Sequence, residues 1–535
     1  MRKLQYPPFI RVKIIFTILV LISLSVGAQN KLASIPTAAQ VGAANMPEEI
    51  APIQAPFPMP ELKKPVFPAL NINIKEKGAK EGRITTKEIQ NAIDEANNRG
   101  GGTVIIPAGI WQTGRISLKS NVNLHLEQGA ELRFSGEVED YYPAVFTRNE
   151  GVEVMSLGAC IYANGQENIA ITGKGKLVGP PQNSPVRNRV IKGDVVENLI
   201  SADTPVEKRI YDGTNNGPIF LPMFISPTNC KNVLIEGIRL ENTPFWNIVP
   251  VYCDGVIIRG VDVYSVGIPR GDGIDIESTR NVLIEYSTLS CGDDCFTMKA
   301  GRGEDGLRIN KPTENVVVRF CLAKEGHGGI TVGSETAGVI RNLYVHDTVF
   351  DDTGVGIRFK TRRPRAGGGE NLHYERIRMN LREEAFRWDM LGSRTYVGEL
   401  ADRLPIRAVN RLTPFYRNIF AKDIIVEKAK GFVRVEGIPE SPLKNFRLEN
   451  ADITAKNLFR CHDADGISIK NAVLRTEESA ITLTDTRDLK FQNVKFIVPG
   501  NEINVTVSGE LSDDIKFKNT SPKKPKNWRK NKWDN

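Results

Sequence analysis

A short pattern recurs along the chain: Asn or Asp, an apolar residue, any residue, then a second apolar or aromatic residue. It occurs at Asn121-Val122-Asn123-Leu124, Asn168-Ile169-Ala170-Ile171, Asn232-Val233-Leu234-Ile235, Asn281-Val282-Leu283-Ile284, Asn315-Val316-Val317-Val318 and Asn342-Leu343-Tyr344-Val345, with later copies at Asn371, Asn418, Asn445 and Asp488. With Val256 as an imperfect copy, the apolar residues Val233, Val256, Val282, Val316, Leu343 and Leu372 follow one another at steps of 23, 26, 34, 27 and 29 residues. Each copy is a short β-branched strand bounded by Gly, Asn and Asp, and helical periods are nearly absent. One strand marker per coil-sized step indicates coils that bury their inward faces by stacking, about 4.8 Å apart. A β-sandwich would instead place hairpin turns about every 8 to 12 residues. The chain therefore reads as all-β, a right-handed parallel β-helix over residues 71–520.

An open first coil would be an exposed sheet edge. Residues Thr85 to Arg99 predict a capping helix, with Thr85 or Thr86 as N-cap, Ile89, Ala92, Ile93 and Ala96 on one face, and Gly100-Gly101-Gly102 as the stop. Residues 29–70 hold eight prolines and no helical pattern, which predicts an extended linker or a strap along the body. Residues 1–28 carry Arg2, Lys3, Arg11 and Lys13, then an apolar run from Ile14 to Val26 and small residues up to Ala28. This reads as a signal peptide, so the expectation is a secreted or periplasmic protein that leaves no membrane anchor after cleavage.

Charge changes the picture only when divided. The formal net charge is +8, but the first 28 residues contribute +4 and residues 521–535 contribute +5, leaving −1 for the rest. The basic tail is expected to be disordered. With a nearly neutral body, nucleic acid is not an expected partner, and attraction for a polyanion must come from locally placed cations. Seven cysteines form an odd set without metal-site spacing; Cys291 and Cys295 are close enough in sequence to pair, but buried thiols are the favoured reading.

The polar insertions carry the functional signal. Asp272 lies 16 residues after Val256, Asp293 11 after Val282, His327 11 after Val316 and Arg358 15 after Leu343. Similar phase on four consecutive coils predicts one groove. Asp272, Asp293 and Asp294 would crowd together, raising the pKa of at least one so that it can protonate a leaving oxygen while an ionised neighbour activates water. Taken alone, Asp-Asp after Gly is a turn or a set of calcium ligands. Gly326-His327-Gly328-Gly329, however, puts a histidine among glycines on the next coil, where room is left for a ligand. Arg358 and Lys360 alternate with Ile357 and Phe359, so both cations face one side and suit a carboxylated sugar.

Gly271-Asp272-Gly273-Ile274-Asp275, Gly292-Asp293-Asp294-Cys295, Gly326-His327-Gly328 and Arg358-Phe359-Lys360, in this order, resemble the motifs of glycoside hydrolase family 28, the polygalacturonases. The resemblance runs from about Asn71 to at least Asp423. It implies hydrolysis, with inversion, of α-1,4-galacturonosyl linkages in a pectic polysaccharide or galacturonate oligosaccharide, without metal or other cofactor. It places the general acid on Asp293, water activation on Asp272 and Asp294, support of the acid's proton on His327, and substrate-carboxylate binding on Arg358 and Lys360. The family's usual Asn-Thr-Asp is here Arg270-Gly271-Asp272, which leaves the carboxylate but puts subsite specificity in doubt. Retention of His327 with Arg358 and Lys360 favours galacturonate over the rhamnogalacturonan-cleaving branch.

Lys299 and Arg302 follow the Asp pair closely and are candidates to touch substrate carboxylates. Asp275 and Glu277 either line the groove or face solvent, and Trp246 and Trp388 either stack on sugar or pack. The inserts Arg302 to Pro312 and Arg382 to Pro405 could wall off one end of the groove, which favours exo cleavage by a monomer. A calcium-dependent pectate lyase and a noncatalytic glycan-binding β-helix are the competing readings.

Overall fold

The computed structural model describes residues 32–191, 195–201, 204–523 and 525. The expected leader, 1–28, and most of the basic tail, 521–535, lie outside them. The chain forms a parallel β-helix: apart from the hairpin Val145–Asn149 with Val152–Ser156, all pairings between strands of the described residues are parallel.

The recurring Asn marks one register column. Ile169 pairs with Val233, and then Val256, Val282, Val316, Leu343, Leu372, Ile419 and Phe446 follow in turn. Each marker sits in the left-handed region, as at Asn121 (φ 63°), Asn232 (φ 53°) and Asn342 (φ 55°), which Asn tolerates better than most side chains do. The amides then stack. Asn168 donates to Asn121 Oδ1 at 3.1 Å, Asn232 to Asn168 at 2.7 Å, Asn315 to Asn281 at 3.0 Å and Asn342 to Asn315 at 3.0 Å. In the imperfect copy Gly255 (φ 75°) supplies the turn, and Asp254 Oδ1 accepts from Asn281 at 2.7 Å.

Alternation along these strands is incomplete, and the reason is tertiary. In Val233-Leu234-Ile235 the outer residues of the triplet point into the coil, while Leu234 points out, yet all three are buried. The outward column Ala170, Leu234 and Ile257 is covered by Ile50, Leu62 and Phe67, and the column Leu283, Val317 and Tyr344 by a set that includes Ile53, Phe57 and Met59. Residues 32–70 thus run along the body. Burying each large aliphatic side chain contributes about 1.5–3 kcal/mol. Arginines of stacked coils clamp the segment through its carbonyls: Arg259 donates to Pro47 O at 2.7 Å, Arg319 to Ala51 O at 2.7 Å and Arg378 to Pro36 O at 3.0 Å.

Helix α1, Thr86–Asn98, closes the first coil with Ile89, Ala92, Ile93 and Ala96 fully buried. Thr85 is its N-cap residue, but its hydroxyl donates to Gln112 O at 2.9 Å instead of capping, and Thr86 Oγ1 accepts from the Gly114 N–H at 2.6 Å. Both hydroxyls therefore tie the helix to the first coils. All seven cysteines are free and buried, so Cys291 and Cys295 do not form a disulfide.

Candidate active site

The strands Ile274–Glu277, Phe296–Lys299, Leu322–Val332 and Ile340–Lys360 stack as one sheet, with Ile274 beside Phe296, Phe296 beside Ile330 and Ile330 beside Ile357. Asp272 and Asp294 each lie two residues before that column and so share a position on adjacent coils. Arg358 lies one residue after it, in the column of Asp275, Thr297 and Thr331. The phase count from the coil marker placed Arg358 level with Asp272. The real offset arises because turns differ in length between coils, with a bulge at Asp351/Thr353 on the Arg358 strand.

These side chains line a cleft of about 390 Å³ together with Glu150, Trp246, Glu335, Arg362, Asp389 and Tyr396. One oxygen from each of Asp272, Asp293 and Asp294 lies within 4.8 Å of the others. That is closer than the roughly 6.5–9.5 Å between carboxyl groups general among inverting glycosidases, so spacing alone does not set the stereochemical outcome.

The three carboxyls are electrostatically unlike. Burial, reinforced by Asp275 and Asp293, pushes Asp272 well above the usual carboxylate range. Asp294 is just as buried, but Lys360 Nζ at 2.6 Å from Oδ2 and Arg358 Nη1 at 3.1 Å from Oδ1 overcome that burial and hold it below its ordinary value. Crowding thus raises one carboxyl while two cations depress its neighbour. Asp293 opens to the cleft. Its Oδ1 accepts from the Asp294 N–H at 2.9 Å and lies 3.1 Å from His327 Nδ1, and this hydrogen bond raises the imidazole's proton affinity despite partial burial.

The glycines around His327 make room for protein groups. A Cβ at Gly328 would lie 2.7 Å from Asp294 Oδ1, and one at Gly326 (φ 155°) would lie 2.7 Å from Cys295 Sγ. Gly328 therefore admits the Asp294 carboxylate between coils.

Lys299 and Arg302 border the cleft but are buried and engaged with Glu335. Lys299 donates to Glu335 Oε2 at 3.2 Å and lies 3.9 Å from Asp272 Oδ2 and 3.5 Å from Asp275 Oδ1. Its ammonium sits 4.3 Å from the centre of the Trp246 ring, which is almost wholly buried. Arg302 and Arg365 each reach Glu335 Oε1 at 3.1 Å, and Arg302 also meets Glu150 at 3.3 Å and Glu197 at 3.2 Å. Against burial, Lys299, Arg365 and Arg302 hold Glu335 well below the usual range. Asp275 and Glu277 lie beneath the cleft, fully buried, and burial raises both to about 7, opposed by Lys299 at Asp275 and by Arg148 at Glu277. Trp388 is a core residue stacked on Phe359 at 4.6 Å.

Glu335, Arg362 and Tyr396 were not singled out from sequence. Arg362 continues the alternation Arg358, Lys360, a signal available in the run itself. Glu335 and Tyr396 carry no such mark, and Tyr396 comes from the insert after Asp389. The segment 179–222 was also overlooked; its helix Val195–Ser201 brings Glu197 to Arg302.

A cleft floored by three carboxyls in different protonation environments, set on a parallel β-helix, defines a class of polysaccharide-cleaving enzyme. The chain belongs to the glycosyl hydrolases family 28, which residues 100–384 match, and it is a glycoside hydrolase. It is 30% identical to an exopolygalacturonase from Thermotoga maritima of known structure, with a TM-score of 0.70 over 77% of this chain and 93% of that one. It is 27% identical over 400 residues to a probable polygalacturonase of Vitis vinifera, covering 72% of this chain and 75% of the relative. An endo-polygalacturonase of Pectobacterium carotovorum is 28% identical over 305 residues, 55% of this chain and 69% of the relative.

Proposed function

We propose that this enzyme hydrolyses α-1,4-galacturonosyl linkages of pectic polysaccharide with inversion, attacking chain ends. The observation that carries the reading is the arrangement of Asp272, Asp293 and Asp294 beside Arg358 and Lys360 in one cleft. Asp293, open to the cleft and bonded to His327, donates a proton to the glycosidic oxygen as the bond to the anomeric carbon breaks. Asp294, kept ionised, orients the attacking water, and Asp272, a stronger base when ionised, takes up the water's proton. His327 shares a proton with Asp293 and so keeps the acid supplied. Arg358 and Lys360 fix the Asp294 charge and present their remaining N–H groups to a sugar carboxylate, while Lys299 and Arg302 hold the cleft's electrostatic floor through Glu335.

A calcium-dependent lyase would use the same three aspartates as ligands. Both Asp294 oxygens already accept from cationic side chains, so a divalent ion there would face two positive charges, and the set suits hydrolysis better than metal binding. The exo preference is supported by the insert that brings Gly392, Ser393 and Tyr396 to the end of the cleft. The working layout is a leader over 1–28 directing secretion or periplasmic export, a strap over 29–70, the catalytic β-helix over 71–520 and a basic tail over 521–535, acting as a monomer. Among the described residues no helix is long and apolar enough to cross a membrane.

Chain-length analysis of a polygalacturonate digest tests the reading. Early release of monomer or dimer, saturated and insensitive to chelator, is expected. A mixed ladder overturns exo cleavage, and ultraviolet-absorbing unsaturated ends overturn hydrolysis. Proton NMR of the first anomer formed tests inversion, which retained configuration would sink.

A further inference from the structure

Arg362 is a cation without a counter-ion in a cleft where the other cations have one. It is 9% exposed and lines the cleft, and its Nε has no hydrogen-bond partner. Among the described residues no acid stands within ion-pairing distance of its guanidinium. The nearby acids are taken: Glu335 by Lys299, Arg302 and Arg365, Glu150 by Arg270 and Arg302, and Asp294 by Arg358 and Lys360.

The insert holds this group in place. The Arg362 guanidinium lies 4.4 Å from the centre of the Tyr396 ring. Gly392 (φ 73°) packs on the arginine's stem, where a Cβ would lie 3.0 Å from Arg362 Cδ. Gly392, Ser393 and Tyr396 form the end of the cleft around it. A buried guanidinium left unpaired is costly. Burial and the neighbouring Arg302 both weaken its hold on its proton, as expected of a site that lacks an anion. A planar fork matches a carboxylate in two parallel hydrogen bonds, and an aromatic ring beside it offers a face for the body of a sugar.

We propose that Arg362, positioned by Tyr396, is a specificity-determining residue that binds the carboxylate of the galacturonate unit seated against the insert. This rests on the galacturonate reading above and adds to it a second point of acid recognition, distinct from Arg358 and Lys360. A terminal unit anchored there would give the closed end of the cleft its preference for a free acid over an ester.

The test compares digalacturonate with its methyl diester as ligands of the wild type, Arg362→Gln and Arg362→Lys, by calorimetry, with thermal melting to confirm folding. One charge-assisted, forked contact corresponds to about 10- to 100-fold in affinity. Arg362→Gln is expected to lose that factor for the acid and less than about 3-fold for the diester, and Arg362→Lys, which keeps charge without the fork, to fall between. Should Arg362→Gln fail to fold, the acid-to-ester ratio of Arg362→Lys decides alone: an unchanged ratio overturns the assignment. A wild type that cleaves polygalacturonate while Arg362→Gln binds acid and ester as the parent does, or loses both equally, overturns this assignment and leaves the activity standing. A wild type inert toward polygalacturonate overturns the reading of the site and this assignment with it.

Discussion

Lys360 Nζ lies 2.6 Å from Asp294 Oδ2, so a cation expected to await the substrate's carboxylate is already joined to a catalytic-site aspartate. The pair links binding to chemistry: the charge that attracts an acidic sugar also keeps Asp294 ionised.

Lys360→Met is therefore expected to lower kcat as well as raise KM, because Asp294, fully buried, loses half of its compensation. Asp294→Asn should cut kcat about 10²- to 10⁴-fold, the range for loss of a group handling the proton or water. The double substitution should cost little more than Asp294→Asn alone, since the residues act through one contact. Steady-state kinetics on oligogalacturonate check this, and losses that simply multiply would show that the two act independently.

The alkaline limb of kcat/KM should depend on His327. Asp293 raises the imidazole's pKa, so the shared proton is present below that raised value and is lost as pH rises through it. His327→Gln removes this store, and the limb should move to lower pH with about 10²-fold loss of rate. A profile unshifted in pH would sink the proposed role.

Stability should also carry a pH signature. The Asp275 carboxyl, raised to about 7 by burial against the opposing Lys299, binds its proton more tightly folded than unfolded. Its contribution is complete below the unfolded value of about 4 and disappears as pH rises through the folded one. The wild type should lose Tm between about pH 5 and 8, and Asp275→Asn, permanently neutral, should flatten that slope. Glu277, also raised to about 7, leaves a residual slope. Calorimetric melting at several pH values measures the difference, and parallel curves would refute the assignment.

Sequence alone determined the solenoid, because Asn at each coil marks a left-handed turn whose amide stacks on the next, a local requirement repeated until it becomes a period. It also identified Asp272, Asp293, Asp294, His327, Arg358 and Lys360 as one cluster, since coils stack in chain order and sequence spacing maps onto space. It did not determine the register of Arg358, which turn lengths and a bulge shift onto the Asp275 column. Nor did it show that Gly328 makes room for Asp294, that Lys299 and Arg302 are held by Glu335, or that residues 32–70 account for the outward-facing Leu234 and Val317. Those are contacts between segments tens to hundreds of residues apart, set by burial and pairing that no local pattern encodes. Only the tertiary structure decides which charges are spent on one another and which, as at Arg362, remain for a ligand.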